Sequence, residues 1–260
     1  MGVSSISRAP PCLAASIRAA RTTRTVSNIV RPGAPTLTSS ILFDFGGTLD
    51  ADGVTWKARF ARLCREERLP VRTDGFDSVF HAVDDALVGT VPSTLSFGDT
   101  VWRLAAGLAR ALRSNDEGVS QRIACRFLEE ASRNLERNTP LLSRLSRRYH
   151  LGIVSNFYGN LATVCHDSGI GALFSVIVDS THVGCVKPHP LMFTSALDAL
   201  GVTPADAVFV GDSLARDMAG ACAIGMRHIW LTGEAASHEA PCCPGDPIVR
   251  SLLELEGLLL

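Results

Sequence analysis

From residue 40 onward, short apolar runs alternate with amphipathic stretches, and that alternation leaves few architectures open. Strands fit at 40–45, 151–155, 174–178, 207–211 and 227–231. Helical spacing appears between them, near 140–149, 158–168, 189–200 and 214–224, and once more at about 248–259. Strands separated by helices of that length make βαβ units, and such units line their strands up in parallel. Gly201 with Pro204, and Gly225, mark helix ends. The expected fold class is therefore α/β, built on a parallel sheet.

Residues 54–138 break the alternation. They hold no convincing strand, and Leu, Phe, Val and Ala recur at helical spacing near 56–68, 75–88, 97–112 and 119–136. This reads as a helical insertion after the first strand, placed to lie over the active face as a cap. Asn138-Thr139-Pro140 marks the return, with Pro140 suited to the first turn of a new helix. The expected organisation is an extension over 1–38, a core over 39–53 and 139–260, and a helical cap over 54–138.

The extension differs in composition from the rest. It carries Arg8, Arg18, Arg21, Arg24 and Arg31, many Ser, Thr and Ala, and no acid; the first acid in the chain is Asp44. That pattern describes either an organellar transit peptide or a disordered tail. Eight scattered cysteines form no CxxC pair, and adjacent Cys242 and Cys243 lack a matching partner pair. They argue against a zinc site or disulfide framework and for a reducing compartment: cytoplasmic, or organellar if the extension is a transit peptide. A formal net charge of −1 suggests no nucleic-acid or membrane-surface partner. No apolar run approaches the ~20 residues of a transmembrane helix. Lysine is nearly absent, with only Lys57 and Lys187 against 23 arginines.

Four strand ends carry chemistry. Ile41-Leu42-Phe43 delivers Asp44 to the carboxyl end of a strand, where α/β sheets bind ligands, and Gly46-Gly47 follow. A carboxylate there can attack an electrophile or hold a metal ion, although an Asp at a strand end also makes Asx-turns. Ser155-Asn156 follows the second strand, where a hydroxyl and backbone N–H groups could bind a phosphoryl oxygen or simply cap a helix. Lys187 sits between Val186 and Pro188 after the third strand, able to offset the charge of a nucleophile and a transferring group. Asp212 ends the fourth strand and Asp217 follows it. Alone, each acid could serve a helix N-terminus; beside Asp44 they make a hard-oxygen site of the kind magnesium prefers.

The ordered set Asp44-Phe45-Gly46-Gly47-Thr48, Ser155, Lys187 and Gly211-Asp212 through Asp217 resembles the four motifs of the haloacid dehalogenase superfamily, over roughly residues 38–260. The resemblance implies a Rossmann-like three-layer core with a helical cap inserted after the first motif. It implies a phosphatase of small phosphorylated metabolites that works through an aspartyl-phosphate intermediate. Asp44 would be nucleophile and magnesium ligand, Ser155 with Asn156 would bind the phosphoryl group, and Lys187 would orient and neutralise. Asp212 would hold Mg2+, Asp217 would join that site or support the lysine, and Thr48, counted with the substrate-binding residues, would brace the turn after the nucleophile.

One position departs from the pattern. The family's phosphatases place a second Asp, the general acid/base, where this chain has Gly46. A glycine still offers its backbone carbonyl to a metal but transfers no proton, a function typically worth ~10²–10⁴-fold. Asp50 or an inserted residue such as His81 could substitute, or the substrates could carry good leaving groups. The alternative function is a weakly catalytic or non-catalytic member that binds a phosphorylated ligand or a protein partner. A Schiff-base route through Lys57 is disfavoured, and Asp212 with Asp217 argues against metal-free dehalogenation. Restoring an acid at 46 is expected to raise turnover of alkyl phosphates, provided the backbone there tolerates a side chain.

Overall fold

The computed structural model describes residues 38–71, 75–233 and 240–260. Apart from Thr38, the extension expected over 1–38 lies outside the described residues, as does Cys12.

Six strands form one parallel sheet: β1 (Ser40–Phe43), β2 (His150–Ser155), β3 (Val176–Asp179), β4 (Ala207–Gly211), β5 (Arg227–Leu231) and β6 (Ile248–Val249). Their spatial order is β3-β2-β1-β4-β5-β6. Every residue of β1 and β4 is buried, which explains why both read as continuous apolar runs rather than alternating ones. After β1 the chain builds outward to β2 and β3, then returns to the other side of β1 for β4 and β5. The strand order therefore reverses between β1 and β4, and ligands of open α/β sheets bind at the carboxyl ends beside such a reversal.

Four helices separate β1 from β2: α1 (Trp56–Glu66), α2 (Phe76–Asp85), α3 (Phe97–Ala111) and α4 (Val119–Leu145). Thr55 and Ser96 cap α1 and α3 by accepting from the Ala58 and Asp99 N–H groups. Their apolar faces share one core with the sheet, in which Phe43 and Phe45 join Phe60, Leu104, Leu108 and Phe127. After β2 come α5 (Leu161–Asp167), α6 (Ser180–Val183), α7 (Pro190–Leu200), α8 (Ala219–Ala223) and α9 (Leu255–Leu259). Phe193 of α7 meets Phe209 of β4 edge-to-face, 5.1 Å between centroids, in a second apolar cluster.

Two expectations change. No helix begins at Pro140; α4 runs unbroken from Val119 to Leu145 with Pro140 inside it. Leu135, Leu141, Leu142 and Leu145 are all buried on one face, and that packing outweighs the single backbone donor proline removes. The segment expected as a helix over 248–259 opens instead with β6, whose Ile248 and Val249 pair with Trp230 and Leu231. A two-residue strand is too short to show a period of its own. Among the described residues, no helix is long and apolar enough to cross a membrane.

Candidate functional site

The sheet brings the four sequence motifs to one edge. Asp44 follows β1, Ser155 ends β2 and Asp212 follows β4. Lys187 lies in the segment before α7, and Asp217 in the wide turn Leu214–Met218 that leads into α8. The parallel register sets β1 between β2 and β4, so side chains at their three carboxyl ends are neighbours.

The chain leaves β1 through a wide turn, Phe45–Leu49, and the two glycines in it serve different needs. Gly47 has φ +93°, and a Cβ there would lie 2.6 Å from Asp212 Oδ2. Only glycine meets both conditions. Gly46, by contrast, has φ −77° and ψ 114°, a conformation open to any residue. Its constraint is steric: a Cβ would lie 3.2 Å from Trp56 Nε1. The indole of α1 thus fills the space beside Gly46 where a side chain would project.

Trp56 is held there by Asp50. The indole Nε1–H donates to Asp50 Oδ2 at 2.8 Å, Arg59 Nη1 donates to the same oxygen at 2.7 Å, and the Gly47 N–H donates to Oδ1 at 2.7 Å. Asp50 is fully buried, and Arg59 nearly so. Burial pushes the Asp50 carboxyl up from its ordinary value, against the opposing pull of Arg59 and the hydrogen bonds from Gly47 and Trp56. With both oxygens engaged and no exposure, Asp50 cannot replace the proton donor missing at position 46. It is a structural anchor for the turn.

Asp44 sits at the centre of a charged network. Ser155 Oγ donates to Asp44 Oδ1 at 2.7 Å, and Lys187 Nζ lies 2.7 Å from that same oxygen. Lys187 also pairs with Asp217 Oδ1 at 2.7 Å, while the Ser213 N–H donates to Asp217 Oδ2 at 3.0 Å. Both Asp217 oxygens are therefore occupied, and of its two expected roles the support of the lysine is the one its contacts fit. Asn156 pins the lysine backbone: its Oδ1 accepts from the Lys187 N–H at 2.7 Å. Thr48 is fully buried and donates to Asp212 Oδ1 at 3.2 Å. It is absent from the cavity wall, so it braces the turns carrying Asp44 and Asp212 rather than facing a ligand.

The charges do not balance. Carboxylate oxygens of Asp44, Asp212 and Asp217 lie within 4.8 Å of one another. Loss of hydration raises Asp212 well above the ordinary carboxylate range, with the Asp217 and Asp44 charges adding to it. Asp217 is raised by burial first, against the pull of Lys187. Burial alone would depress Lys187, yet Asp217 and Asp44 outweigh it and hold the ammonium above its usual value. Three acids and one lysine leave room for added positive charge, and an all-oxygen donor set suits a hard cation.

Asp44, Gly46, Ser155, Asn156 and Lys187 line a cavity of about 440 Å³. Its far wall includes residues the sequence did not single out: Trp56, Asp84 and Tyr158, with Arg216 beside them. Tyr158 donates its hydroxyl to Asp84. Burial raises the Asp84 carboxyl, against the opposing effect of that hydrogen bond. His81 also lines the cavity, as does Lys57, whose Nζ pairs with Asp77 Oδ2 at 2.6 Å. Asp84 belongs to α2 and Tyr158 to the loop after β2, 74 positions away, so no spacing pattern could have linked them.

A family model described as haloacid dehalogenase-like hydrolase matches residues 38–225. The chain belongs to that family. It is 34% identical over 113 residues to haloacid dehalogenase-like hydrolase domain-containing protein 3 of Mus musculus, covering 44% of this chain and 42% of that protein. It is 41% identical over 64 residues to phosphoserine phosphatase of Thermus thermophilus, 25% of this chain and 26% of that protein. Glyceraldehyde 3-phosphate phosphatase of Pyrococcus furiosus is 42% identical over 58 residues, 22% of this chain and 24% of that protein. The chain thus spans less than half the length of these curated relatives. Among solved structures, a magnesium-bound putative hydrolase of the family, YfnB from Bacillus subtilis, superposes with a TM-score of 0.55 at 22% identity, covering 86% of this chain and 99% of that one. A dehalogenase with an intermediate complex superposes with a TM-score of 0.60 at 19% identity, covering 87% and 98%. These two likenesses carry the fold alone.

Proposed function

We propose that this family member is a magnesium-dependent phosphohydrolase of small phosphorylated metabolites, with Asp44 as its nucleophile. The observation that carries the reading is the environment of Asp44 Oδ1. Ser155 and Lys187 both reach it at 2.7 Å, at the edge of a cavity that also presents Lys57 and Arg216. A carboxylate oriented by a hydroxyl and an ammonium, beside a cavity that Arg216 also lines, suits attack on an anionic phosphoryl group. The phosphatase names of two relatives support the substrate class.

Among the described residues, Asp44 Oδ2 accepts no hydrogen bond, which leaves it as the attacking oxygen. In the first step a bond forms from that oxygen to phosphorus, and the bond to the leaving alcohol breaks. Lys187 offsets the charge on Asp44, and the Ser155 hydroxyl can turn from Oδ1 to a phosphoryl oxygen. Asp44 and Asp212, with the Gly46 carbonyl, would hold magnesium, whose chemistry there is to neutralise phosphoryl charge. Helices α1 to α4 act as the cap in this reading, since α2 contributes His81 and Asp84 to the cavity. Asp84, with its raised proton affinity and Tyr158 as partner, is the acid best situated to protonate a leaving group in place of Gly46. The dehalogenase likeness supports no competing activity, because it extends to the fold only.

A panel of phosphometabolites and one aryl phosphate, assayed with and without magnesium, tests the proposal. Wild-type protein should release phosphate only with magnesium, fastest from the aryl ester. Asp44→Asn should remove turnover and leave the melting temperature near wild type. No release from any ester, or release that persists in Asp44→Asn, would defeat this reading.

A further inference from the structure

Away from the candidate active site, the fold assembles a second group of metal-binding side chains that the sequence spacing concealed. Cys222 lies on α8, Cys242 and Cys243 on the loop before β6, His228 on β5, and Asp246 three residues beyond Cys243. The sulfurs of Cys222, Cys242 and Cys243 all lie within 4.8 Å of one another, and so do the donor atoms of His228, Cys243 and Asp246. Cys243 belongs to both sets. Cys242 and Cys243 have no matching pair in the sequence, but the fold sets one cysteine beside them: 20 positions separate Cys222 from Cys242, yet α8 and the loop bring them together.

We propose that Cys222, Cys242 and Cys243 hold a zinc-type ion through their sulfurs, its fourth position completed by a shift of His228, which in the metal-free fold groups with Cys243 and Asp246 rather than with all three sulfurs. Three features argue for a cation rather than a chance group of thiols. The first is spacing. A tetrahedral zinc with sulfur bonds of about 2.3 Å sets its sulfurs about 3.8 Å apart. The Cys222–Cys243 and Cys242–Cys243 sulfurs stand 3.3 and 4.0 Å apart, on either side of that value. A disulfide needs about 2.0 Å.

The second is the histidine. His228 is buried, and its Nδ1 lies 3.1 Å from the Met226 carbonyl oxygen, which can only accept. That contact keeps the proton on Nδ1 and turns the Nε2 lone pair toward the cluster, the arrangement typical of metal-bound histidine. The third is what Nε2 meets. Asp246 Oδ2 lies 2.7 Å away without an aligned hydrogen bond. A lone pair set against a carboxylate oxygen, with no hydrogen bond joining them, marks a place that favours a cation. The Cys243 N–H already donates to Asp246 Oδ2 at 3.0 Å, so the carboxylate keeps a partner when the imidazole turns to the metal.

The chemistry selects the ion. Thiolates and imidazole favour zinc and disfavour the hard cation suited to Asp44 and Asp212. Cys222 and Cys242 are exposed, so the site is open to solvent. Binding would require the three sulfurs as thiolates and so release their protons. It would fasten α8, β5 and the loop before β6 together.

The test uses the purified full chain, stripped of metal and reduced. Zinc is titrated against a chromophoric chelator, and cobalt(II) is added separately as a spectroscopic probe. One zinc per chain, thiolate-to-cobalt charge-transfer absorption and a raised melting temperature are expected. Cys243→Ser should abolish stoichiometric binding, and Cys222→Ser, at an exposed position, should do so without harming the fold. Asp246→Asn should change affinity by no more than the ~10–100-fold of an outer-sphere partner. Cys125→Ser, at an exposed cysteine outside the cluster, should bind as wild type does. Asp44→Asn should also keep its zinc. Equal binding by wild type and Cys222→Ser would overturn the proposal, as would absence of binding in the reduced protein. An intact mass short by two hydrogens, with no metal uptake after reduction, would instead make Cys222–Cys243 a redox pair.

Discussion

Returning an acid to position 46 looks like the obvious repair of the candidate active site, but the structure predicts that it fails alone. The backbone is not the obstacle, because Gly46 has an ordinary negative φ. The obstacle is Trp56. A Cβ at 46 would lie 3.2 Å from the indole Nε1, tighter than most such contacts, with two more indole atoms in ordinary contact at 3.4 and 3.5 Å, so the indole must give way for a side chain there. The indole cannot easily withdraw. Its Nε1 is tied to Asp50, and its ring packs on Phe97, Phe127 and Phe157 at centroid distances of 6.2, 5.0 and 5.7 Å. Overpacking of this kind costs about 1–3 kcal/mol. Gly46→Asp should therefore melt at a lower temperature and gain little activity. Gly46→Ala should also lose stability, so it isolates the steric cost.

The repair should require both positions. Trp56→Leu alone opens a void and removes one donor to Asp50, at a cost of about 2–4 kcal/mol. In Gly46→Asp/Trp56→Leu the carboxylate can occupy the vacated space. Turnover of alkyl phosphates should then exceed that of either single variant by part of the ~10²–10⁴-fold an acid/base supplies. The two substitutions should couple favourably in stability as well, since each relieves the defect of the other. Steady-state kinetics on an alkyl and an aryl phosphate, with urea denaturation of all four proteins, completes the cycle. A gain in Gly46→Asp alone at wild-type stability would refute the steric argument. A folded double variant with no gain would show that the missing acid does not limit the rate.

Two further outcomes follow from the buried charges. Arg59→Ala should destabilise the protein by about 3–5 kcal/mol, because it leaves the fully buried Asp50 without its cation; an unchanged urea midpoint would refute that role. Asp84 has a folded-state pKa above the ordinary carboxylate value, so its share of stability should fall as pH rises from about 4 toward that higher value, then level off. If Asp84 protonates the leaving group, turnover should decline over the same rise in pH. Asp84→Asn should flatten that limb and slow alkyl phosphates more than aryl phosphates; a pH–rate profile identical to wild type would remove Asp84 from the reaction.

The parts legible in the sequence share a physical basis. β1 and β4 were readable because both faces are buried, which leaves continuous apolar runs, and Asp44 and Asp212 were readable because they end those runs. Ser155 and Lys187 needed only the assumption of a parallel sheet to become neighbours of Asp44. The rest depended on packing between distant elements. Asp50 reads as a free acid six residues after Asp44, yet Trp56 and Arg59 of α1 enclose it. Pro140 reads as a helix start, yet the buried leucines around it keep α4 continuous. The Asp84–Tyr158 pair and the cysteine cluster join residues with no periodic relation, so only the folded chain displays them.

The turn after β1 explains why the absence at Gly46 is stable rather than accidental. Asp50 accepts from the Gly47 N–H, the Trp56 indole and Arg59, and so ties the turn to α1. The indole held in this way occupies the space a side chain at 46 would need. A carboxylate at 46 would also join Asp44, Asp212 and Asp217, whose charges Lys187 alone opposes among the described residues at hydrogen-bonding distance. Steric and electrostatic costs therefore act in the same direction. The chain keeps an orienting hydroxyl and lysine on Asp44 while the next acid along the sequence, Asp50, is committed to structure. In the proposed reaction, such a site should form the bond to phosphorus readily and depend on the substrate, or on Asp84, to complete departure of the leaving group. Substrates whose leaving groups need no proton are those this geometry favours.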